Sequence, residues 1–278
     1  MFKIDAHQHF WQYDPIRDAW IDETMQVIQR DFMPKDLKPL LDQNGIVGCV
    51  AVQADQSEAE SNFLLELAAG NPFIKGVVGW VDLRSADLPQ SLKSYSSNPL
   101  FKGVRHIAQA ERDDFLMRSD VQAGIAQLAA YGLTYDILIY AHQLPAAIKL
   151  VAQFPDQAFV LDHLAKPSIS KGLNKDWMDN IQKLAKHSNV YCKLSGMVTE
   201  TNKFLWKKPA FSPFIDVILE AFGTDRVMYG SDWPVCLLAA QYREQILIIE
   251  DHIASFSPSE RAKIMGMNAV AFYNLSIA

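Results

Sequence analysis

The stretch DVQAGIAQLAAYGLTYDILIYAHQLPAAIKLVAQ, residues 120–153, contains one complete unit of the pattern that decides the fold. A helical pattern covers 120–131 and ends at the turn signal YGL. The β-rich run LTYDILIY (133–140) follows directly, and a second helical pattern occupies 144–153. A strand enclosed by helices in this way is typical of a repeated β/α architecture.

The same alternation continues along the whole chain. Eight strand-like runs start about 25 to 45 residues apart, and they are KIDAHQH (3–9), VGCVAVQ (47–53), IKGVVGWV (74–81), FKGVRHI (101–107), LTYDILIY (133–140), AFVLDH (158–163), NVYCKLS (189–195) and RVMYGSD (226–232). Helical patterns lie at 34–44, 57–69, 120–131, 144–153, 177–186 and 213–222, with a weaker one in LPQSLKSYSS (88–97). The segment SPSERAKIMGMNAVAFYNL (257–275) predicts a terminal amphipathic helix capped by Ser257 or Ser259.

This alternation also predicts the domain organisation. No linker, low-complexity tract or charge block divides the chain, so we expect one domain over residues 1–278. Eight strands alternating with helices favour an α/β fold, a single (β/α)8 or TIM barrel with a C-terminal helix. An open, doubly wound sheet is the alternative.

Composition argues against several classes of function. The 278 residues are 49% hydrophobic and carry a net charge of −6, which argues against binding to the phosphate backbone of nucleic acid. Three cysteines without CxxC spacing indicate no disulfide framework, and the amino terminus lacks the apolar core of a secretory signal. The longest apolar stretch, 46–52, is too short to span a membrane. We expect a cytoplasmic protein that acts on a small molecule. Formation of a homo-oligomer is possible on this sequence.

Histidines and an aspartate gather where the predicted strands end. His7 and His9 close the first strand with period two, so we expect both side chains on one face, with Ile4 and Ala6 on the other. Later strands contribute three more residues, namely His142 after the fifth, His163 on the sixth and Asp232 on the eighth. The carboxyl ends of barrel strands share one rim, and active groups collect there.

This set predicts a divalent metal site. Two imidazoles of a His-x-His pair, a third histidine and a carboxylate oxygen suit Zn²⁺, with Mn²⁺ as the alternative ion. Other interpretations of single members stay open. The His-x-His pair can be a surface feature of a strand end, His163 a hydrogen-bonded core histidine, and Asp232 the N-cap of a helix that opens at Pro234.

Five motifs resemble the amidohydrolase superfamily in its lactonase-like branch, and they occur in the order HQHFW (7–11), KGVRH (102–106), HQLP (142–145), VLDHLAKP (160–167) and YGSDWPV (229–235). The resemblance implies a (β/α)8 barrel and a hydrolase. Members of this branch act on aldonolactones such as fuconolactone and rhamnonolactone, on pyrone dicarboxylate lactones and on muconolactones. The resemblance therefore implies hydrolysis of a lactone, and we expect a sugar lactone, an aldonolactone such as L-fuconolactone, in hexose catabolism such as fucose or rhamnose breakdown.

The same resemblance implies roles for the clustered residues. It implies that four side chains bind one divalent metal ion, namely His7, His9, His142 and Asp232. His163 is expected to contact the attacking water or a substrate oxygen. A second ion normally needs a lysine or glutamate at the end of the fourth strand, where this chain has Arg105 and His106, so a single ion is implied. Some members of the branch work without a metal, and metal-independent catalysis stays an alternative.

Asp232 is expected to take a proton from the water that attacks the lactone carbonyl and to return it to the leaving ring oxygen. The metal or His163 would stabilise the oxyanion. A metal-dependent, non-oxidative decarboxylase of the same superfamily is the nearest alternative, and a silent barrel that only binds carbohydrate is a third. No G-x-S-x-G elbow, P-loop or dinucleotide fingerprint occurs in the sequence.

Further residues are predicted to contact the substrate. Arg105, inward on the fourth strand, would orient substrate oxygens or form a salt bridge with a neighbouring carboxylate. Lys193, inward on the seventh strand, would touch the substrate, and Lys166 would meet a substrate carboxylate or stay solvated. The indoles of Trp11 and Trp80 would stack on a sugar ring or form a pocket wall.

Overall fold

Eight parallel strands form one sheet in the order of the chain. The computed structural model describes residues 2–277, and its strands are Lys3–Gln8 (β1), Ile46–Val52 (β2), Ile74–Gly79 (β3), Phe101–His106 (β4), Thr134–Ile137 (β5), Phe159–Leu161 (β6), Val190–Leu194 (β7) and Val227–Tyr229 (β8). The segment after β8 joins β1, because the Asp232 N–H donates to the His7 carbonyl at 2.8 Å and the His9 N–H to the Trp233 carbonyl at 2.7 Å. The sheet thus closes into the predicted (β/α)8 barrel, and the open-sheet alternative is wrong.

Helices alternate with the strands and surround the barrel. They are Pro34–Gln43 (α1), Glu58–Gly70 (α2), Leu88–Ser96 (α3), Ser119–Leu128 (α4), Leu144–Gln153 (α5), Lys175–Ala185 (α6), Ser212–Phe222 (α7), Tyr242–His252 (α8), Pro258–Ala262 (α9) and Asn268–Tyr273 (α10). The predicted helices and the weaker α3 are confirmed, but α8 is not among the predictions. Its signal is present in the sequence, since buried side chains recur with helical spacing at Tyr242, Gln245, Ile246 and Ile249.

The terminal helical segment is divided by a change of helix type. α9 begins after Ser257, whose hydroxyl accepts a hydrogen bond from the first turn, so one of the two predicted caps is confirmed. A π-helical turn, Lys263–Met267, separates α9 from α10. Gly266 lies in this turn against β1, where a Cβ atom would come within 3.1 Å of the Phe2 carbonyl oxygen. The glycine therefore permits the close approach of the π turn to the first strand.

α10 closes the amino-terminal end of the barrel. Its Ala269 and Tyr273 pack inside against a small apolar group made of Ile4, Ala6, Val50, Val52, Val78, Val160 and Met228. The Lys102 ammonium at the start of β4 donates to the Asn274 carbonyl, directly after α10, at 2.8 Å. The carboxyl ends of the strands form the opposite rim, which leaves that rim for a site.

A β-bulge in β1 changes which side chains enter the barrel. Between Asp5 and Gln8 the pairing advances three residues along β1 but two along β2. A bulge of this kind re-aims the side chains that follow it. Ile4 and Ala6 belong to the interior apolar group, and His7 also points into the barrel. The prediction that the two histidines and these apolar residues occupy opposite faces is therefore wrong.

The structure also bears on membrane crossing and on disulfides. Across residues 2–277, no helix combines the length and the apolar character that a membrane crossing requires. The three cysteines are buried and free, which confirms that no disulfide framework supports the fold.

Glu60 in α2 carries a buried carboxyl group whose ionisation depends on pH near neutrality. Burial raises its pKa to about 7, although the Ala54 N–H donates to its Oε1 at 3.1 Å. The unfolded chain releases this proton at a lower pH than the folded chain, so stability falls as the pH rises from about 4.5 to about 7. We expect Glu60→Gln to raise the free energy of unfolding by about 1–3 kcal/mol at about pH 8 and to leave it unchanged at about pH 4.

Urea denaturation at both pH values measures this effect. Glu66→Gln, at an exposed position of the same helix, is the matched control and should change the free energy of unfolding at neither pH. An equal gain from Glu60→Gln at both pH values would contradict the explanation, because a packing effect does not depend on ionisation.

Candidate active site

A pocket of about 290 Å³ opens at the carboxyl ends of the strands. Its apolar wall includes Trp11, Trp20, Leu138 and Val235. Its polar side chains are His9, Gln56, Arg105, Gln109, His163, Lys166 and Asp232. The volume is at the lower end of the range for small-molecule sites, so the pocket suits a ligand built on a single ring.

His7, His9 and Asp232 bring three potential metal-ligand atoms together beside this pocket. The two histidine Nε2 atoms are 3.2 Å apart, and Asp232 Oδ1 lies 3.3 Å from His9 Nε2 and 3.8 Å from His7 Nε2. All three side chains are buried. Burial lowers the pKa of both histidines, and of His7 well below its ordinary value, so both imidazoles are neutral at neutral pH.

The hydrogen bonds of the two imidazoles favour one tautomer for each. His9 Nδ1 lies 2.8 Å from the Val52 carbonyl oxygen, which can only accept, so Nδ1 carries the proton and Nε2 presents a lone pair. A proton on His7 Nδ1 can donate to Asp162 Oδ1 at 3.3 Å, and this tautomer leaves a lone pair on Nε2 that accepts from the Arg105 guanidinium, also at 3.3 Å. Two nitrogen lone pairs and one carboxylate oxygen that face each other form a donor set that fits a divalent ion.

A buried network of charges lies beneath His7. Lys193 Nζ is 2.6 Å from Asp136 Oδ2, 2.9 Å from Asp162 Oδ1 and 3.1 Å from His7 Nδ1. Burial by itself would raise the pKa of Asp162, but Lys193, His7 and Arg105 hold it well below its ordinary value. Asp162 could also group with His7 and His163 around a metal. The charge of Asp162 is already balanced by Lys193 and Arg105, so the group of His7, His9 and Asp232 is the better candidate for a metal site.

His163 connects this network to the pocket. Its Nδ1 is 2.7 Å from Ser195 Oγ, and its Nε2 is 3.7 Å from Asp232 Oδ1. The backbone is left-handed from His163 to Lys166, with φ between 48° and 59°, a region that side chains disfavour. Gly196 packs under the ring, and a Cβ atom there would lie 2.6 Å from the imidazole. Burial lowers the pKa of His163 well below its ordinary value.

Asp232 takes its position from an unusual backbone conformation. Its φ is +57°, and the Cys236 N–H donates to its main-chain carbonyl at 2.8 Å. The carboxylate itself faces His9 and His163, so the interpretation of this side chain as an N-cap is not supported. Burial opposes ionisation, but His163 and His9 lower the pKa of Asp232. The group is therefore an anion at neutral pH.

The structure does not bring His142 to this cluster. β5 ends at Ile137, and the chain then turns outward, so the His142 side chain is 60% exposed. Its Nε2 pairs with Asp113 at 3.1 Å, and it borders a separate surface cavity of about 940 Å³. Inside the barrel, the strand contributes Asp136 instead. In the described residues, the candidate metal ligands are therefore three rather than the predicted four.

Three of the predicted substrate contacts do line the pocket. The Arg105 side chain reaches it while its guanidinium contacts Asp162 at 3.2 Å, so both proposed roles of this residue are compatible with its position. Lys166 lies between the pocket and the larger surface cavity. Trp11 forms part of the wall, where its indole N–H donates to the Arg30 carbonyl at 2.9 Å.

Lys193 and Trp80 lie elsewhere. Lys193 is inward as predicted, but it is fully buried below the pocket and does not line it. The Trp80 indole N–H points at His106 Nδ1 at 3.3 Å, and Trp80 is also absent from the pocket wall. The predicted direct contacts of these two residues with a substrate are therefore not supported.

Several residues of the site are not among the predictions. Asp162 precedes His163 in the same motif, and Asp136 shares the inward parity of its strand, so both had a detectable signal. Gln56 and Gln109 follow β2 and β4 in loops, where no periodic pattern identifies a pocket residue.

Comparison with known proteins identifies the class to which this barrel and its site belong. The family model described as amidohydrolase matches residues 4–275. The chain belongs to the amidohydrolase family, which confirms the family and the hydrolase class that the five motifs imply.

Individual relatives cover nearly the whole chain. An L-fucono-1,5-lactonase of Burkholderia ambifaria is 36% identical over 279 residues, which cover 99% of this chain and 96% of the relative. The L-fucono-1,5-lactonase of Burkholderia multivorans is 37% identical over 288 residues, with coverage of 98% and 96%. A crystal structure of an amidohydrolase from Burkholderia multivorans with bound zinc is 37% identical and has a TM-score of 0.95. The match covers 99% of this chain and 100% of the chain in that structure.

Proposed function

We propose that this protein hydrolyses a neutral sugar lactone, such as L-fucono-1,5-lactone, through attack of water on the ring ester. The observation that carries the proposal is the position of the Asp232 carboxylate, which lies 3.3 Å from His9 Nε2 and 3.7 Å from His163 Nε2 in a pocket that suits a single ring. The lactonase names of the two Burkholderia relatives support the same chemistry. Breakdown of a hexose is the corresponding metabolic role.

Asp232 is the general base of the proposed reaction. Its carboxylate accepts a proton from the attacking water, and the resulting acid returns this proton to the ring oxygen as the ester bond breaks. His163 stabilises the negative charge that develops on the carbonyl oxygen. That role needs a proton on Nε2, which follows if the Ser195 hydroxyl donates to Nδ1 across 2.7 Å. Arg105 adds positive charge to the same wall of the pocket.

His7, His9 and Asp232 would hold one divalent ion, with zinc favoured over manganese by the two nitrogen ligands. Such an ion, when bound, supplies Lewis-acid polarisation of a substrate oxygen. The zinc in the similar Burkholderia structure supports this choice.

We expect metal-free protein to bind about one equivalent of zinc and to gain thermal stability, because an ion bound by the folded state alone stabilises it. His9→Gln should weaken zinc binding at least about tenfold. His142→Gln is the matched control and should bind zinc as the wild type does, since His142 is exposed and paired with Asp113. Equilibrium dialysis with elemental analysis measures this. Equal weakening in both variants would contradict the three-residue site.

The charges of the pocket favour a neutral lactone over a dicarboxylate. Two cations line the pocket, and Arg105 is already paired with Asp162 and hydrogen-bonded to Gln53. The remaining cation, Lys166, is offset by the anionic Asp232 in the same wall. Apart from an ion held by His7, His9 and Asp232, a substrate with two carboxylates would need more positive charge than these side chains provide.

A panel of lactones assayed with a pH indicator tests the proposal. Proton release from sugar lactones, above the spontaneous rate, is the expected result, with smaller turnover of pyrone dicarboxylate lactone. Carbon dioxide release from hydroxybenzoates would favour the decarboxylase alternative. Absence of both reactions would leave only carbohydrate binding and would overturn the proposal.

A further inference from the structure

Two amide side chains line the pocket without a role in the proposed proton transfers. Gln56 lies in the loop between β2 and α2, and Gln109 lies in the loop after β4. Asp232 and His163 line the same pocket. These amides can therefore reach a ligand whose ester group lies at the catalytic side chains.

The orientation of the Gln56 amide is set by the backbone. The Ile107 N–H donates to its Oε1 at 2.8 Å, and because a main-chain N–H can only donate, the oxygen must face Ile107. The other half of the amide is an NH₂ group, which donates to no protein acceptor within residues 2–277. Gln56 thus offers hydrogen-bond donors from a fixed position on the pocket wall.

Gln109 offers the complementary group. Its main chain is fixed by a hydrogen bond from its N–H to the Leu138 carbonyl at 2.9 Å. Its side-chain Oε1 is buried and has no hydrogen-bond partner among the described residues. Buried acceptors are rarely left without a partner, and because Gln109 lines the pocket, a change of its rotamer that turns this oxygen toward a ligand donor would satisfy it.

We propose that Gln56 and Gln109 bind ring hydroxyl groups of the lactone and thereby determine which hydroxylated lactone the enzyme accepts. A hydroxyl group both donates and accepts, so it matches an NH₂ donor on one loop and a carbonyl acceptor on the next. The Gln56–Ile107 bond joins the two loops, so both amides belong to one wall. This inference rests on the proposed lactone hydrolysis and adds to it the part of the pocket that recognises the sugar.

The test compares a polyhydroxylated 1,5-lactone with δ-valerolactone, which has the same six-membered ring without hydroxyl groups. Gln109→Met keeps the length of the side chain and removes its polar atoms. Gln56→Glu keeps the acceptor for Ile107 and removes the donors. We expect each variant to lower kcat/KM for the hydroxylated lactone about 10- to 100-fold and to change kcat/KM for δ-valerolactone less than about threefold.

Gln182→Met, at an exposed position of α6, is the matched control and should alter neither substrate. Thermal unfolding of each variant shows that it remains folded. Equal losses on both lactones, or no loss on either, would overturn this inference while wild-type turnover upholds the proposed function. A wild-type protein that hydrolyses neither lactone would overturn the proposed function, and this inference with it.

Discussion

Replacement of Asp232 with Asn is expected to lower kcat for lactone hydrolysis by about 10²- to 10⁴-fold and to leave the thermal unfolding midpoint of the metal-free protein nearly unchanged. The amide cannot accept a proton from water, so the proposed general base is lost. Asn keeps the shape of the side chain and tolerates the left-handed backbone at φ +57°, which Ala does not. Steady-state kinetics and thermal unfolding of the same preparation measure both quantities.

Asp113→Asn provides the control for this variant. Asp113 is an exposed carboxylate that pairs with His142 outside the pocket, so its loss should leave kcat unchanged. Normal turnover by Asp232→Asn would refute the assignment of the base. A fall in activity that is matched by a fall in the unfolding midpoint of the metal-free protein would instead make Asp232 a structural residue.

Replacement of Lys193 with Met is expected to lower the free energy of unfolding by about 3–5 kcal/mol. The variant leaves Asp136 and Asp162, both fully buried, without the ammonium that lies within 2.9 Å of each. The deficit should grow as the pH rises, because a buried carboxylate without its cation has a raised pKa and must be ionised at higher pH. Urea denaturation at about pH 5 and about pH 8 measures the difference.

A second substitution separates the charge effect from packing. Asp162 keeps its ion pair with Arg105 at 3.2 Å in the Lys193→Met variant, so Asp136→Asn in that background removes the carboxylate that has lost its ion pair and should recover part of the lost stability. Lys186→Met, at an exposed position, should have little effect. A Lys193→Met protein that is as stable as the wild type at both pH values would show that the buried ammonium contributes nothing to the fold.

The sequence predicts most of the barrel because its strands follow a period of two and end at the same rim. This parity correctly places Arg105 and Lys193 inside. It fails in β1, where one extra residue brings His7 to the same side as Ala6. A bulge changes parity without any marker in the local composition, so residue spacing alone cannot reveal it.

Residue spacing predicts only part of the candidate site, again because the spacing within one strand does not contain all of the geometry. Three residues of the site can be predicted because they lie at or just after the ends of strands, namely His9, His163 and Asp232. His142 lies beyond the point where the chain leaves the barrel after β5. Lys193 lies on the predicted inward face of β7, but deeper in the barrel than predicted, because two carboxylates hold its ammonium below the pocket. Depth and pairing depend on neighbours from other strands, and one strand's pattern contains no information about them.

The position of Tyr273 inside the barrel has a consequence for the order of folding. Its hydroxyl donates to Asp136 Oδ2 at 2.7 Å, and Asp136 in turn contacts Lys193, which reaches His7. Contacts between segments far apart in the sequence form only after long loops have closed, and such closure is slow. We therefore expect water to reach these interior charges from below until α10 docks, so the environment of His7 is completed by a segment that is synthesised after all eight strands of the barrel.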